Sequence, residues 1–265
     1  MRLTFIRAAM AALLLSAPAL AGPLEDGLAA YERKDFAAAA ELFRAAAEAG
    51  EPSAQTHLGA LYANGLGVDK DYAEAARWFA LAAAAGDMGA QLNLGFMHQS
   101  GVGVEKDFAR AVDYFRAAAG QGSATAQTNL GFMYESGLGV PADLGEAARW
   151  YEAAAAQGDA AAQASLGFLY QRGRGVPADP AAAMQLFALA AEQGNASAQA
   201  ALGGMYARGE GIERDLVEAY AWFSVAGKAG DQAAVMERVK LRREMSPEQI
   251  KAGDALAKTR GAGGR

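Results

Sequence analysis

The chain contains no cysteine, which excludes disulfides, thiol nucleophiles and cysteine-ligated metals. Imidazole is nearly as scarce, with His57 and His98 standing alone among 265 residues. Shifted back by one sequence period, His98 corresponds to a position five residues after His57, roughly 140° around a helix, so the two do not form a shared metal or acid–base face. A basic surplus is missing too: 24 Lys/Arg oppose 30 Asp/Glu, a formal charge of −6, which argues against nucleic acid as a partner. Phosphate-binding sequences are absent. The Gly-x-Gly turns have neither the third glycine of a dinucleotide fingerprint nor the Gly-Lys-Ser/Thr of a P-loop, and Gly227-Lys228-Ala229 lacks the hydroxyl. Nor is there an apolar run long enough for a membrane span, which needs about 20 residues. The run Ala8 to Leu15 is shorter and is followed by Ser16 and Pro18.

That run is flanked in a telling way. Arg2 and Arg7 precede it and Ala19-Leu20-Ala21 follows as a small-x-small site, so residues 1–21 read as a secretory signal peptide cleaved after Ala21. Removing it deletes two arginines and no acid, leaving 22 basic against 30 acidic residues, a charge of −8. The expected location is periplasmic or secreted, with no stable membrane insertion once the signal is gone.

The rest of the chain is built on a repeat of 36 residues. A Leu-Gly pair recurs at Leu58-Gly59, Leu94-Gly95, Leu130-Gly131, Leu166-Gly167 and Leu202-Gly203, and a Gly-x-Gly-Val/Ile turn begins at Gly65, Gly101, Gly137, Gly173 and Gly209. Each unit reads as a helical hairpin. Its first helix ends at the turn glycine, and its second starts at an N-cap aspartate (Asp71, Asp107, Asp143, Asp179, Asp215). Glu74, Glu146 and Glu218 stand three residues after their caps and predict capping boxes. In the second helix Tyr72, Ala75, Phe79 and Ala82 form the expected core stripe, and glycines from Gly50 to Gly230 close the units. Ser246-Pro247-Glu248-Gln249 opens a last helix, expected to reach about Lys258 and to cover the open end of the stack.

The pattern Ala-Gln-x-x-Leu-Gly-x-x-Tyr, Gly-x-Gly-Val, Asp, aromatic pair, Ala-Ala and Gly resembles the Sel1-like repeats of the tetratricopeptide superfamily. The resemblance covers residues 51–230. His98 departs from its tyrosine and Leu186 from its aromatic. It implies an all-α fold, a right-handed α-solenoid of stacked helical hairpins, acting as an adaptor for other proteins. The expected organisation is a signal peptide at 1–21, a tetratricopeptide-like capping pair at 22–50, five repeats at 51–230, capping helices at 231–260 and a disordered tail at 261–265.

No catalytic constellation emerges, and neither cofactor nor metal is expected. The aspartate series is assigned to helix capping, and His98 to the packing seam in place of tyrosine. Surface candidates come from variation between copies. Phe96, Phe132 and Phe168 follow the Leu-Gly pair and lie about 200° from the buried leucine, on a side that lines the groove in the tetratricopeptide family. Asn93, Asn129 and Ser165 stand three residues before them, and Gln99, Glu135 and Gln171 three after, on the same helical side. Apolar anchors flanked by amides suit a protein or peptide segment. The expectation is thus an exported, monomeric, non-enzymatic scaffold with its groove as the binding surface. Alternatives are a periplasmic regulator of a membrane sensor, or an envelope-substrate hydrolase of the family's penicillin-binding branch. The latter is disfavoured because that branch is stapled by cysteines.

Overall fold

The computed structural model describes residues 22–262, and the expected signal peptide therefore lies outside the described residues. Fourteen α-helices and one 3₁₀ turn account for the regular structure, with no strand among the described residues. They pair as α1 (Pro23–Glu32) with α2 (Phe36–Glu48), α3 (Pro52–Asn64) with α4 (Tyr72–Ala84), α5 (Met88–Ser100) with α6 (Phe108–Gly120), and α7 (Ala124–Ser136) with α8 (Leu144–Ala156). The series continues with α9 (Ala160–Arg172) and α10 (Pro180–Glu192), then α11 (Ala196–Arg208) and α12 (Leu216–Lys228), and ends in α13 (Gln232–Leu241) and α14 (Pro247–Ala262). Consecutive helices pack on one another from α1 to α13, and α14 packs back on α12. The core is correspondingly divided into small clusters strung along the array, each shared by neighbouring helices.

Two glycines per unit set the spacing of this stack. The glycine of each Leu-Gly pair lies under the aromatic ring of its partner helix: a Cβ on Gly131 would stand 2.7 Å from the Tyr151 ring, and Gly59, Gly95, Gly167 and Gly203 meet Phe79, Phe115, Phe187 and Phe223 in the same way. The ring thus lies directly on helix backbone. The second glycine of each turn joins one unit to the preceding one. At Gly139, φ is +73° and a Cβ would come 2.3 Å from the Phe108 carbonyl, so both conformation and space demand glycine. The turn motif is therefore an inter-unit contact as well as a helix terminator. Gly137 supplies the terminator, at φ 66°, as the left-handed C-cap of α7.

The aspartate caps are present in all five copies. Asp71 Oδ1, for example, accepts from the Ala73 and Glu74 amides at 2.9 and 3.0 Å. The reciprocal half of the expected capping box is not formed there. Instead the Asp71 amide donates to the Tyr62 carbonyl at 3.0 Å, and Asp107, Asp143, Asp179 and Asp215 donate likewise to His98, Tyr134, Tyr170 and Tyr206. With that amide already engaged by the first helix, Glu74 and Glu146 turn to Arg77 and Arg149, each at 2.8 Å, and Glu218 turns to Arg260. The complete box appears at α14, where no such carbonyl competes: the Ser246 amide donates to Gln249 Oε1 at 2.8 Å and the Gln249 amide to Ser246 Oγ at 3.3 Å.

Three further expectations change. Tyr72 is 40% exposed, with the Lys70 ammonium 4.7 Å from its ring centroid, because the first residue of α4 stands at the rim of the helix pair. Helix α14 continues past Lys258 through Gly261 and Ala262, so the expected disordered tail at 261–265 is helical over its first two residues. The α14–α12 contact holds it there, with Gly253 against the Tyr220 ring, Tyr220 Oη donating to Asp254 at 3.1 Å, and Arg260 stacked 4.1 Å from the Trp222 centroid. Ala219 through Ala226 are consequently all buried, the longest unbroken buried stretch among the described residues.

Buried glutamines mark the unit junctions. Gln55, Gln91, Gln127, Gln163 and Gln199 each donate to the backbone carbonyl eight residues earlier, in the last turn of the preceding helix. Three of their Oε1 atoms in turn accept from a glutamine thirty residues on: Gln121, Gln157 and Gln193, at 2.8 to 2.9 Å. Paired in this way, buried amides link neighbouring units at no desolvation loss.

Candidate protein-binding face

The first helices α5, α7 and α9 carry the phenylalanines that follow the Leu-Gly pairs. Because the leucine must face the core and the glycine must lie under the aromatic ring, the next residue is turned outward. Phe96 and Phe132 are 39% and 44% exposed. Phe96 keeps one edge against Phe115, with centroids 5.3 Å apart. Phe168 is half-buried: it stands edge-on to Phe187 at 4.8 Å, and the Arg172 guanidinium lies 5.3 Å over its ring. The ladder is therefore two open rungs and one that is partly covered.

Its polar flanks are less free than their sequence positions suggest. Asn93 and Asn129 fold back on their own helices, donating to the Gly89 and Thr125 carbonyls at 2.8 Å, and His57 Nδ1 reaches Ser53 O at 2.7 Å from the same position. Ser165 sits beside the Tyr151 hydroxyl. Gln99 donates to Met133 Sδ at 3.8 Å and Gln171 to Glu210 at 3.3 Å, which ties each first helix to the next unit. Glu135, expected to be available to a partner, instead accepts from the Tyr151 hydroxyl at 2.9 Å. The reason was present in the sequence as a coincidence within one copy: Tyr151 stands where the other copies have phenylalanine, and Glu135 where they have alanine or glutamine. A buried hydroxyl needs an acceptor, and the carboxylate supplies it. Burial, reinforced by the Glu135 charge, pushes the Tyr151 hydroxyl well above its usual pKa.

His98 occupies the seam as its tyrosine counterparts do. It is 6% exposed, stacked 5.6 Å from Tyr114, with Nδ1 3.2 Å from the Glu105 carbonyl. No group of three or more His, Asp or Glu side chains close enough to hold a metal ion occurs among the described residues. No helix among them is long and apolar enough to cross a membrane.

Sequence reasoning missed a cleft at the end of the ladder. In α11 the three ladder positions carry Ala201, Gly204 and Ala207, all small, and together with Phe168 and Phe223 they line a cleft of about 440 Å³ closed on one side by α13. The signal was available as the loss of bulk in the fifth copy.

Helix pairs stacked in register, with thirteen residues in every helix from α3 to α12, joined by glycine turns and buried glutamines, define an α-solenoid of the tetratricopeptide-like class. The Sel1 repeat model matches residues 19–51, 52–87, 89–123, 124–159, 160–195 and 196–231, and the chain belongs to the Sel1 repeat family. The match takes in the α1–α2 pair as a sixth copy. That pair differs in its turn, where Lys34 at φ 62° replaces the glycine loop and is the one non-glycine residue with positive φ among the described residues. Two solved structures are similar along most of the chain. One is a protective antigen present in uropathogenic Escherichia coli strains that displays an SLR fold, at 34% identity over 91% of this chain, with a TM-score of 0.80. The chain covers 52% of that protein, about half its length. The other is a Sel1 repeat protein from Oxalobacter formigenes, at 33% identity over 89% of this chain and 97% of that one, with a TM-score of 0.79. No curated protein sequence matches the chain.

Proposed function

We propose that this Sel1 repeat protein is an exported, non-enzymatic adaptor that holds a protein or peptide segment against the groove-forming side of its first helices. The observation that carries the reading is the pair Phe96 and Phe132, two large apolar rings left open to solvent at equivalent positions one repeat apart. The scaffold supports it: the turn glycines and the glutamine junctions hold successive first helices in fixed register, so the rungs are preorganised for an extended or helical segment. With the polar flanks engaged inside the fold, recognition rests on the rings more than on free amides. Export is supported by the signal-like residues 1–21 and agrees with the antigenic character of the Escherichia coli relative.

Replacing Phe96, Phe132 and Phe168 by alanine and comparing capture from the envelope fraction tests the site. Each anchoring ring is expected to contribute about 1–4 kcal/mol. Unchanged capture by a folded triple variant would overturn the assignment. Export is tested by sequencing the amino terminus of the mature protein, which is expected to begin at Gly22.

A further inference from the structure

The cleft at the carboxyl end of the ladder combines features that the rest of that side lacks. Along α5, α7 and α9 the position after Leu-Gly is filled by Phe96, Phe132 and Phe168, whereas in α11 it is Gly204. The flanking positions shrink in the same copy, to Ala201 and Ala207. Above these small residues lies a mainly apolar recess of about 440 Å³, walled by Phe168, Phe223 and α13 and edged by Gln171, Arg172, Arg208 and Glu237, with the Arg208 guanidinium folded over Gly204. That is within the range of about 300–1,000 Å³ typical of ligand pockets. The recess is thus the place where the ladder changes from a protruding ring to a receiving hole.

Its rim carries a definite charge. Arg208 is neutralised by Glu210 at 2.7 Å, and Glu237 by Lys240 at 2.6 Å. Arg172 makes no ion pair among the described residues; it is exposed, lines the recess, and its guanidinium lies 5.3 Å over the Phe168 ring. An unpaired cation at the mouth of an apolar hole is complementary to a carboxylate next to a bulky apolar side chain.

We propose that this recess is the specificity pocket of the binding face, taking one aromatic or large aliphatic side chain of the partner segment while Arg172 pairs with an acidic residue adjacent to it. The proposal rests on the groove reading above, and its test separates the two. A phage-displayed library of random linear peptides is selected on the mature protein, and the enriched peptides are resynthesised for titration. The expected consensus is an aromatic or large aliphatic residue beside Asp or Glu.

Gly204→Phe restores the rung found in copies two to four and fills the hole. The Cβ it adds first meets the Arg208 guanidinium at 2.9 Å, the movable end of a flexible side chain. Ala207→Gln, which installs the residue of copies two and four, serves as a second filling variant, and the melting transition verifies that each is folded. Both are expected to weaken the selected peptides by about tenfold or more. Arg172→Glu is expected to weaken acidic peptides about tenfold and to shift a repeated selection toward Lys and Arg beside the apolar residue.

A consensus without a bulky apolar residue, full binding by both filled variants, or no enrichment at all would overturn the pocket. If the peptides lose affinity on Phe96→Ala and Phe132→Ala but not on Gly204→Phe or Ala207→Gln, the groove stands and the pocket falls. If none of these substitutions matters, both fall.

Discussion

The central junctions of the array and its last junction use the same parts, but only the central ones are complete. Between α4 and α5, α6 and α7, and α8 and α9, a buried glutamine is bonded on both sides: Gln127, for example, donates to Ala119 O at 3.2 Å and accepts from Gln157 at 2.8 Å. At the last junction residue 229 is alanine. Gln199 still donates to Ala191 O at 3.1 Å, but its Oε1, in a side chain only 5% exposed, has no donor. Backbone packing relaxes at the same end: Gly139 would bring a Cβ within 2.3 Å of the Phe108 carbonyl, whereas Gly211 would meet Pro180 Cβ at 2.9 Å and its backbone at 3.2 Å. Phe132 protrudes in the centre; at the end Gly204 lies on the floor of a cleft, under the Arg208 guanidinium. A repeat can therefore keep its fold while local losses of bulk and of hydrogen bonds convert one copy into a different surface.

The largest expected effect tests the backbone contact. Gly139→Ala meets both a positive φ and main-chain atoms and is expected to cost about 3 kcal/mol or more, while Gly211→Ala, with the same φ and a looser neighbour, is expected to cost about 1–2 kcal/mol, both read by urea titration. Equal losses would remove the distinction between centre and end. Next in size are the buried amides. Gln127→Leu strands the Ala119 carbonyl and the Gln157 amide and is expected to cost about 2–3 kcal/mol, against about 1–2 kcal/mol for Gln199→Leu, which strands one partner. Ala229→Gln sharpens the contrast from the other direction. Residue 229 has φ −79° and ψ 2°, close to the −87° and 0° of Gln157, so the new side chain can reach Gln199 Oε1. A gain of about 0.5–1.5 kcal/mol, seen as a higher melting temperature, is expected.

The smallest effect concerns the Tyr151 hydroxyl, at the core position where the other copies carry phenylalanine. The Tyr151 pKa is raised in the folded state, so the unfolded chain loses this proton first as pH rises. Its contribution is fully present below the ordinary tyrosine pKa of about 10 and falls away as pH climbs beyond it. Melting curves above that pH are expected to decline less steeply for Tyr151→Phe than for the parent. Identical slopes would show that burial of the Tyr151 hydroxyl beside Glu135 carries no linkage.

Much of this protein was legible without coordinates, for a physical reason. A repeat prints each structural demand several times, so Asp71 and its counterparts identified themselves as caps, Gly137 as a helix terminator and His98 as a stand-in for tyrosine. What depends on helix-to-helix contact was less readable. The Glu74 and Glu146 boxes did not form because a carbonyl from the neighbouring helix had taken the cap amide, and Glu135 was claimed by a hydroxyl sixteen residues away. Local spacing determined the hairpins, their ends and the side on which Phe96 and Phe132 emerge. Only the packed array decided that Phe168 would stand edge-on against Phe187 of α10, that α14 would enclose α12, and that three small residues in α11 would open a recess, since burial and cleft shape are sums over neighbours that no single helix contains.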